Sequence, residues 1–433
     1  MIWDRQHECM DREELRALQF ERLKETLQRV YRQVPFYRRL FAEHGVGPED
    51  LQCLEDIRKF PFTTKAALRD NYPYGLFAVP LKKVVRLHAS SGTTGKPVVV
   101  GYTRRDLETW AELVARMVTQ AGVTEGDVVQ ITFGYGLFTG AFGLHYGLER
   151  VGATVVPASV GNTEKQIMLM QDFGTTVLVG TPSYALHLGE TARSMGVDPA
   201  SLQVRLGLFG SESWSEQMRA ELERMWGMKA TDNYGLSEVI GPGVCGECTA
   251  APGMHISEDH FLVEIIDPRT GETLDEGREG EVVITTLTKE AMPVIRYRTR
   301  DISLINFAPC PCGRTTARLR RVSGRTDDML IISGVNVFPS QIESVLMEIE
   351  GVSPHYQIVV EKKGFLDHLE VRVELTEEKF TGQYRDLEAV EDGIRRRLQR
   401  VLSINPRVRL MEPRSIERSE GKAKRVVDLR PKK

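Results

Sequence analysis

Ten residues, His88-Ala-Ser-Ser-Gly-Thr-Thr-Gly-Lys-Pro97, gather two serines, two threonines, two glycines and a lysine. Consecutive backbone N–H groups in such a loop converge on phosphate oxygens. The hydroxyls add donors and Lys96 adds charge. Gly92 and Gly95 let the backbone approach a ligand with no Cβ in the way. A Walker-type loop has four residues between its glycines and a Ser or Thr after its lysine. Here two residues separate Gly92 from Gly95, and Pro97 follows Lys96. The hydroxyl that would hold Mg²⁺ in a Walker loop is missing, which argues against a P-loop kinase or ATPase. The plain alternative is a solvated surface turn, a common fate of Gly/Ser/Thr stretches.

Thiols form a second constellation. The six cysteines are Cys9, Cys53, Cys245, Cys248, Cys310 and Cys312. Four of them make two close pairs, Cys245-x2-Cys248 and Cys310-Pro-Cys312, and His255 lies seven residues after Cys248. Such spacing suits a tetrahedral zinc, with five candidates for four places. Alternatives are an all-cysteine site with His255 free, and reduced buried thiols with no metal. A site closed by four protein ligands would be structural, because catalytic zinc keeps an open position.

These residues need elements to position them. The chain has 433 residues, enough for two or three domains. Lys+Arg 57 against Asp+Glu 60 leaves a net charge of -3, no footprint for nucleic acid. No apolar run reaches membrane-spanning length and the charged opening MIWDRQHECMDREELRAL has no signal-peptide core, so a cytoplasmic protein is expected. Residues 11–46 read as helix. From about 80 to 240, β-rich runs (VVRLHA, DVVQITF, ATVVPAS, TTVLVGTP, RLGLFGS) alternate with helical stretches at 104–122, 163–173, 183–195 and 214–226. This predicts an α/β layer architecture with a mainly parallel sheet. FLVEIID and GEVVITTL then predict a β-rich subdomain. After Asp327 the order strand, helix, strand, strand, helix, strand predicts a small α+β unit. Leu387, Val390, Ile394, Leu398 and Val401 form the apolar face of its second helix. The expected domains are 1–326 and 327–433.

With the glycine loop as the first of five matches, the chain resembles the adenylate-forming superfamily of acyl-CoA synthetases, luciferases and adenylation domains. Tyr234-Gly-Leu-Ser-Glu238 resembles its YGxTE element, and Tyr297-Arg-Thr-Arg-Asp301 its YRTGD, with Arg300 in place of glycine. Gly324-Arg-Thr-Asp-Asp-Met-Leu330 resembles its hinge, and Gly421-Lys422-Ala-Lys-Arg425 its GKxxR. The stretches FGYGLFTGAFGLHYGLERVG, SEVIGPGV, HISEDHF and SGVNVFPSQIE are similar to the phenylacetate–CoA ligase branch.

The resemblance implies two half-reactions: an aryl carboxylic acid and ATP give an acyl-adenylate, and coenzyme A then displaces AMP. It implies ATP, Mg²⁺ and CoA as cofactors, a homodimer, and a large domain carrying a small mobile one. It places Ser90, Ser91, Gly92, Thr93, Thr94, Gly95 and Lys96 on ATP phosphates, Glu238 on Mg²⁺, and Asp301 on the ribose. Ser211, Glu212, Ser213, Asp232, Asn233, Tyr234, Gly235 and Ser237 surround the nucleotide. Lys422 would act with Thr94 and Glu238 in adenylation. Arg325 and Asp327 would sit at the hinge, flanked by Gly324 and Gly334. Phe133, Tyr135, Phe138, Gly140, Gly210, Gly235 and Pro242 would form the acyl pocket, an aromatic wall with room for a flat ring. Among the thiol candidates the resemblance favours Cys248, His255, Cys310 and Cys312, leaving Cys245 as the spare.

Overall fold

The computed structural model describes residues 1–90, 97–250, 252–332, 335–363, 366–380, 384–419 and 423–430. Among these, five parallel strands stand at the centre, in the order Thr154–Val156, Val128–Ile131, Val177–Gly180, Leu206–Gly210, Lys229–Leu236. Two of the inner strands, Val177–Gly180 and Leu206–Gly210, are buried along their whole length. That is the signature of parallel sheet covered on both faces, and it explains their unbroken apolar runs. The sheet then continues antiparallel through Gly241–Glu247, Met254–Ile256, Arg318–Leu319 and Ile305–Asn306.

The expected helices stand at Arg104–Ala121, Thr163–Phe173, Pro182–Ser194 and Glu216–Trp226. The first shows why the sequence starts and stops it. The Thr103 hydroxyl accepts from Asp106 N–H, the Asp106 carboxylate accepts from Thr103 N–H, and Gly122 ends the helix at φ +109. The stretch expected as one helix over 11–46 is broken by Pro35 into Arg12–Gln33 and Pro35–Glu43.

Two strands behave differently from expectation. Arg86–Ala89, within VVRLHA, pairs with Val99–Tyr102 in a separate antiparallel ribbon rather than joining the large sheet. It thereby frames the glycine loop. A further helix, Gly140–Val151, occupies a stretch too rich in glycine to be read as one. The glycines serve close packing: a Cβ on Gly143 would fall 2.4 Å from Trp110, and one on Gly147 2.2 Å from Val114.

A four-stranded antiparallel sheet follows, Phe261–Ile266, Gly280–Thr286, Tyr297–Ser303 and Gly324–Arg325. Beyond it a separate core collects Val337, Ile342, Leu346, Ile358, Val360, Val371, Val373, Ile394, Leu398 and Val408. Its sheet runs Arg407–Met411, Leu366–Leu375, Val352–Lys363, Val426–Asp428. Helices Pro339–Met347 and Tyr384–Leu402 pack with it. The apolar face of the second helix corrects one residue. Val401 is 49% exposed and Leu402 is buried, because the i+4 row 390, 394, 398 continues to 402.

Candidate active site and thiol cluster

Asp301 is the best-anchored of the expected ligand-binding groups. It lies on Tyr297–Ser303, beside Gly324–Arg325, in a register that pairs Asp301 with Arg325. The Tyr234 hydroxyl donates to Asp301 Oδ2 at 2.6 Å, and Arg325 Nη1 donates to Oδ1 at 2.6 Å. Arg325 Nε and Nη2 reach Asp327 at 2.9 and 3.1 Å. Burial works against the Arg325 charge, but Asp301 and Asp327 more than offset it and hold the guanidinium protonated. The tyrosine, ribose and hinge candidates are thus one hydrogen-bonded group.

Arg300, where the family has glycine, has φ +71. The position needs a left-handed backbone, which costs a non-glycine residue about 1–2 kcal/mol. The neighbouring Glu281 helps hold it: its carboxylate accepts from Arg300 N–H at 3.2 Å and lies 3.8 Å from the guanidinium. Ser211, directly after the strand Leu206–Gly210, is also left-handed, at φ +72.

Glu238 is buried and its carboxylate lies 3.4 Å from Lys65 Nζ. Lys65 opens the short helix Lys65–Asp70 and was not among the sequence candidates. It belongs to no motif, and only the fold brings it there. Ser237 Oγ shares a 2.8 Å hydrogen bond with Thr139, the residue before the helix Gly140–Val151.

At the base of the glycine loop, Ser90 N–H donates to Val98 O at 2.9 Å and Val98 N–H donates to Ser90 Oγ at 3.3 Å. Ser91, Gly92, Thr93, Thr94, Gly95 and Lys96 lie outside the described residues, as do Gly334 and Lys422. Ala423, next to Lys422, donates its N–H to Glu212 Oε2 at 3.1 Å, while Glu212 Oε1 accepts from Ser183 N–H at 2.7 Å. Glu212, expected beside the nucleotide, therefore ties residue 423 to the large domain.

Asp232 and Asn233 point to opposite sides of their strand, as alternation requires. Asn233 Nδ2 donates to Phe209 O at 2.5 Å. Asp232 turns into a buried group with Glu247, Arg219 and Arg321. Burial first and Glu247 second push its carboxyl up to about 7. Its side chain thus faces this charged group.

The aromatic loop after Val128–Ile131 is tied to the strand that leads into the glycine loop. Ala89 N–H donates to Leu137 O at 2.9 Å. Phe133 is buried, Tyr135 half-buried and Phe138 38% exposed. Tyr135 meets Phe142 edge-on at 5.2 Å, and its hydroxyl pairs with His145 Nδ1 at 3.0 Å. Phe142 and His145 lie on the unforeseen helix, which is why no pattern pointed to them. Two glycines of the expected pocket have backbone reasons of their own. A Cβ on Gly210 would meet Asn233 O at 2.5 Å, and one on Gly235 would meet Gly241 O at 1.9 Å. The Pro242 carbonyl accepts from Trp110 Nε1 at 2.8 Å. A Cβ on Gly140 would crowd Phe138 at 2.8 Å.

Cys248, His255, Cys310 and Cys312 bring their ligand atoms within 4.8 Å of one another. The Cys248 and Cys310 sulfurs are 3.6 Å apart, and Cys312 Sγ lies 3.3 Å from His255 Nε2. Tetrahedral zinc with its usual bond lengths spaces such atoms by about 3.3–3.8 Å. His255 Nδ1 meets Thr316, Oγ1 at 3.0 Å and O at 3.2 Å, which aims Nε2 at the thiols. Burial pushes the imidazole down to about 4, so it is neutral near pH 7, as a ligand must be. Cys245 is buried on the neighbouring strand and outside this group. The N-terminal residues close over the cluster: Glu8 pairs with Arg314, and Thr315 Oγ1 donates to Met10 O at 2.6 Å.

Residues 78–288 match the family model for AMP-binding enzymes, and residues 334–430 that for the AMP-binding enzyme C-terminal domain. The phenylacetate-coenzyme A ligase of Aromatoleum evansii is 51% identical over 98% of this chain and 97% of its own length. The chain belongs to the phenylacetate–CoA ligase family of AMP-binding enzymes. Among solved structures, 2-hydroxyisobutyryl-CoA ligase in the postadenylation state, in complex with R3-HIB-AMP, matches with TM-score 0.93 and 29% identity. That match covers 99% of this chain and 92% of the other. The same ligase in its thioesterfication state, with 2-HIB-AMP and CoA, covers equal shares at 30% identity but with TM-score 0.74. Family members of this kind are AMP-forming acid–CoA ligases, and the adenylate-forming fold expected from the sequence is the fold observed.

Proposed function

We propose that the chain converts phenylacetate, ATP and CoA to phenylacetyl-CoA, AMP and pyrophosphate. The single observation that carries this is the 51% identity to a phenylacetate-coenzyme A ligase across nearly both whole chains. In the first half-reaction a carboxylate oxygen of the acid bonds to the α-phosphorus of ATP and pyrophosphate leaves. In the second, the CoA thiolate bonds to the acyl carbon and AMP leaves. The small domain turns between the two steps.

Each side chain then has a task. Residues 90–96 hold the phosphates. Asp301, oriented by Tyr234 and Arg325, accepts hydroxyl hydrogen bonds from the ribose, as an ionised carboxylate can. Lys422 meets the charge that grows at the α-phosphate. Tyr135 and Phe138 bound the aryl ring. Glu238 suits Mg²⁺, a buried single carboxylate of the sort that shares this ion with substrate phosphates. Bound there, the ion would neutralise phosphate charge. Cys248, His255, Cys310 and Cys312 suit a structural zinc. A cytoplasmic homodimer completes the reading. Among the described residues, no helix is long and apolar enough to cross a membrane.

The test is pyrophosphate release with ATP, Mg²⁺ and a panel of aryl and short aliphatic acids, with and without CoA. Phenylacetate should give AMP and a thioester, and Lys422→Ala should abolish pyrophosphate release. Turnover of another acid in its place would reassign the substrate, and no turnover of any acid would end the ligase reading.

A further inference from the structure

The two domains meet through a carboxylate outside every motif. Glu190 projects from the large-domain helix Pro182–Ser194. Its Oε1 lies 2.8 Å from His355 Nε2, and its Oε2 accepts from Arg418 Nε at 3.2 Å. Both partners belong to the small domain. Arg418 is gripped from behind by Glu374, whose oxygens accept from Nη1 and Nη2 at 2.8 and 2.7 Å. The guanidinium is thus held within its own domain by Glu374 and by Ile416 O, and presents Nε to the large domain. Burial alone would raise the Glu190 carboxyl, yet His355 and Arg418 bring it below its usual value.

Arg418 lies four residues before Lys422. On the other side of Lys422, Ala423 is held by Glu212. A third crossing joins the same surfaces: Glu343 of the small domain accepts from Ser215 N–H at 3.1 Å and from the Tyr356 hydroxyl at 2.7 Å. These contacts belong to the arrangement that superposes on a postadenylation structure far better than on a thioesterfication one. Contacts made in one of two orientations shift the population toward that orientation.

We infer that Glu190, with His355 and Arg418, is a positioning latch that holds the small domain, and with it the Lys422 segment, in the adenylating orientation. The inference rests on the ligase reading above. Glu190 is not among the residues expected to hold ATP, acid or CoA, so its loss should weigh on the half-reaction that needs this orientation.

The test separates the half-reactions. Phenylacetate-dependent exchange of labelled pyrophosphate into ATP reports adenylation. Thioester formation from synthetic phenylacetyl-adenylate and CoA reports the second step. Glu190→Ala should lower exchange at least tenfold and leave the second step within twofold of the parent. Glu190→Gln keeps the shape without the charge, and should show the same split to a smaller degree. His355→Ala should lower exchange too, and combining it with Glu190→Ala should lose less than the product of the single losses. An equal fall in both half-reactions would make Glu190 merely structural and overturn the latch, as would unchanged exchange. A parent chain that exchanges no pyrophosphate would instead overturn the ligase reading and the latch with it.

Discussion

Tyr234 and Arg325 hold opposite oxygens of the Asp301 carboxylate, each at 2.6 Å. One partner comes from the large sheet and the other from the edge strand of the four-stranded antiparallel sheet, just before the small domain. The proposed ribose ligand and the proposed hinge therefore share a single charge. Asp301→Asn removes the charge and half the acceptor capacity. The expected loss in kcat/KM for ATP is about a hundredfold, since hydrogen bonds to charged groups are worth roughly 1.5–3 kcal/mol. Tyr234→Phe should cost about five- to tenfold. Initial rates of thioester formation against ATP concentration check both, and an unchanged ATP dependence would remove Asp301 from the nucleotide site.

Lys289 carries a pH prediction. Its ammonium is buried, sits 3.2 Å from the centre of the Tyr102 ring, and has no hydrogen-bond partner among the described residues. Burial brings it down to about 7. Between pH 7 and its ordinary value near 10, the unfolded chain binds this proton and the folded chain does not. Stability from this group therefore rises with pH across that window. Lys289→Met should flatten the rise and be the more stable protein at pH 7, by an amount on the order of a few kcal/mol. Denaturant midpoints at pH 7 and pH 9 for both proteins test it. Parallel pH dependence would show that Lys289 stays charged.

Arg300 predicts a contrast between two substitutions. At φ +71, Arg300→Gly relieves strain and loses a half-exposed pairing with Glu281, so stability should change by less than about 1 kcal/mol. Arg300→Val places a β-branched side chain in the same conformation and should cost about 1–2 kcal/mol more. Thermal unfolding of the pair decides. If valine is tolerated as well as glycine, the backbone there is not held left-handed.

The thiol cluster predicts one zinc per chain by elemental analysis. Stripping it with a chelator, or replacing Cys310 by Ser, should lower the thermal midpoint by several degrees. Residues 1–12 should become sensitive to protease, because Glu8 and Met10 dock on the loop that carries Cys310 and Cys312. Adenylation by protein that stays folded should be little changed. Absence of zinc from protein purified without chelator would sink the assignment.

Chemistry was more legible in the sequence than geometry. The order of the motifs is enough to anticipate the adenylate-forming fold, and the family resemblance singles out Cys248, His255, Cys310 and Cys312 among five thiol and imidazole candidates. What stayed hidden depends on long-range placement. Lys65, Glu190 and His355 belong to no motif, and only tertiary folding carries them to Glu238 or across the domain junction. Helix Gly140–Val151 was invisible because packing against Trp110 and Val114, rather than local propensity, holds it. The buried charged group around Asp232 was equally hidden, because Glu247, Arg219 and Arg321 come to it from three separate segments.

The clasp between Glu8 and Arg314 spans 306 residues of sequence. On the ribosome, the first helices emerge long before the loop that receives them. The N-terminal segment must wait, unpaired, while the parallel sheet and the antiparallel sheet are assembled ahead of it. Closing so long a loop comes late for entropic reasons. For this pair, synthesis and pairing are therefore far apart in time: Glu8 is made 306 residues ahead of the arginine it meets.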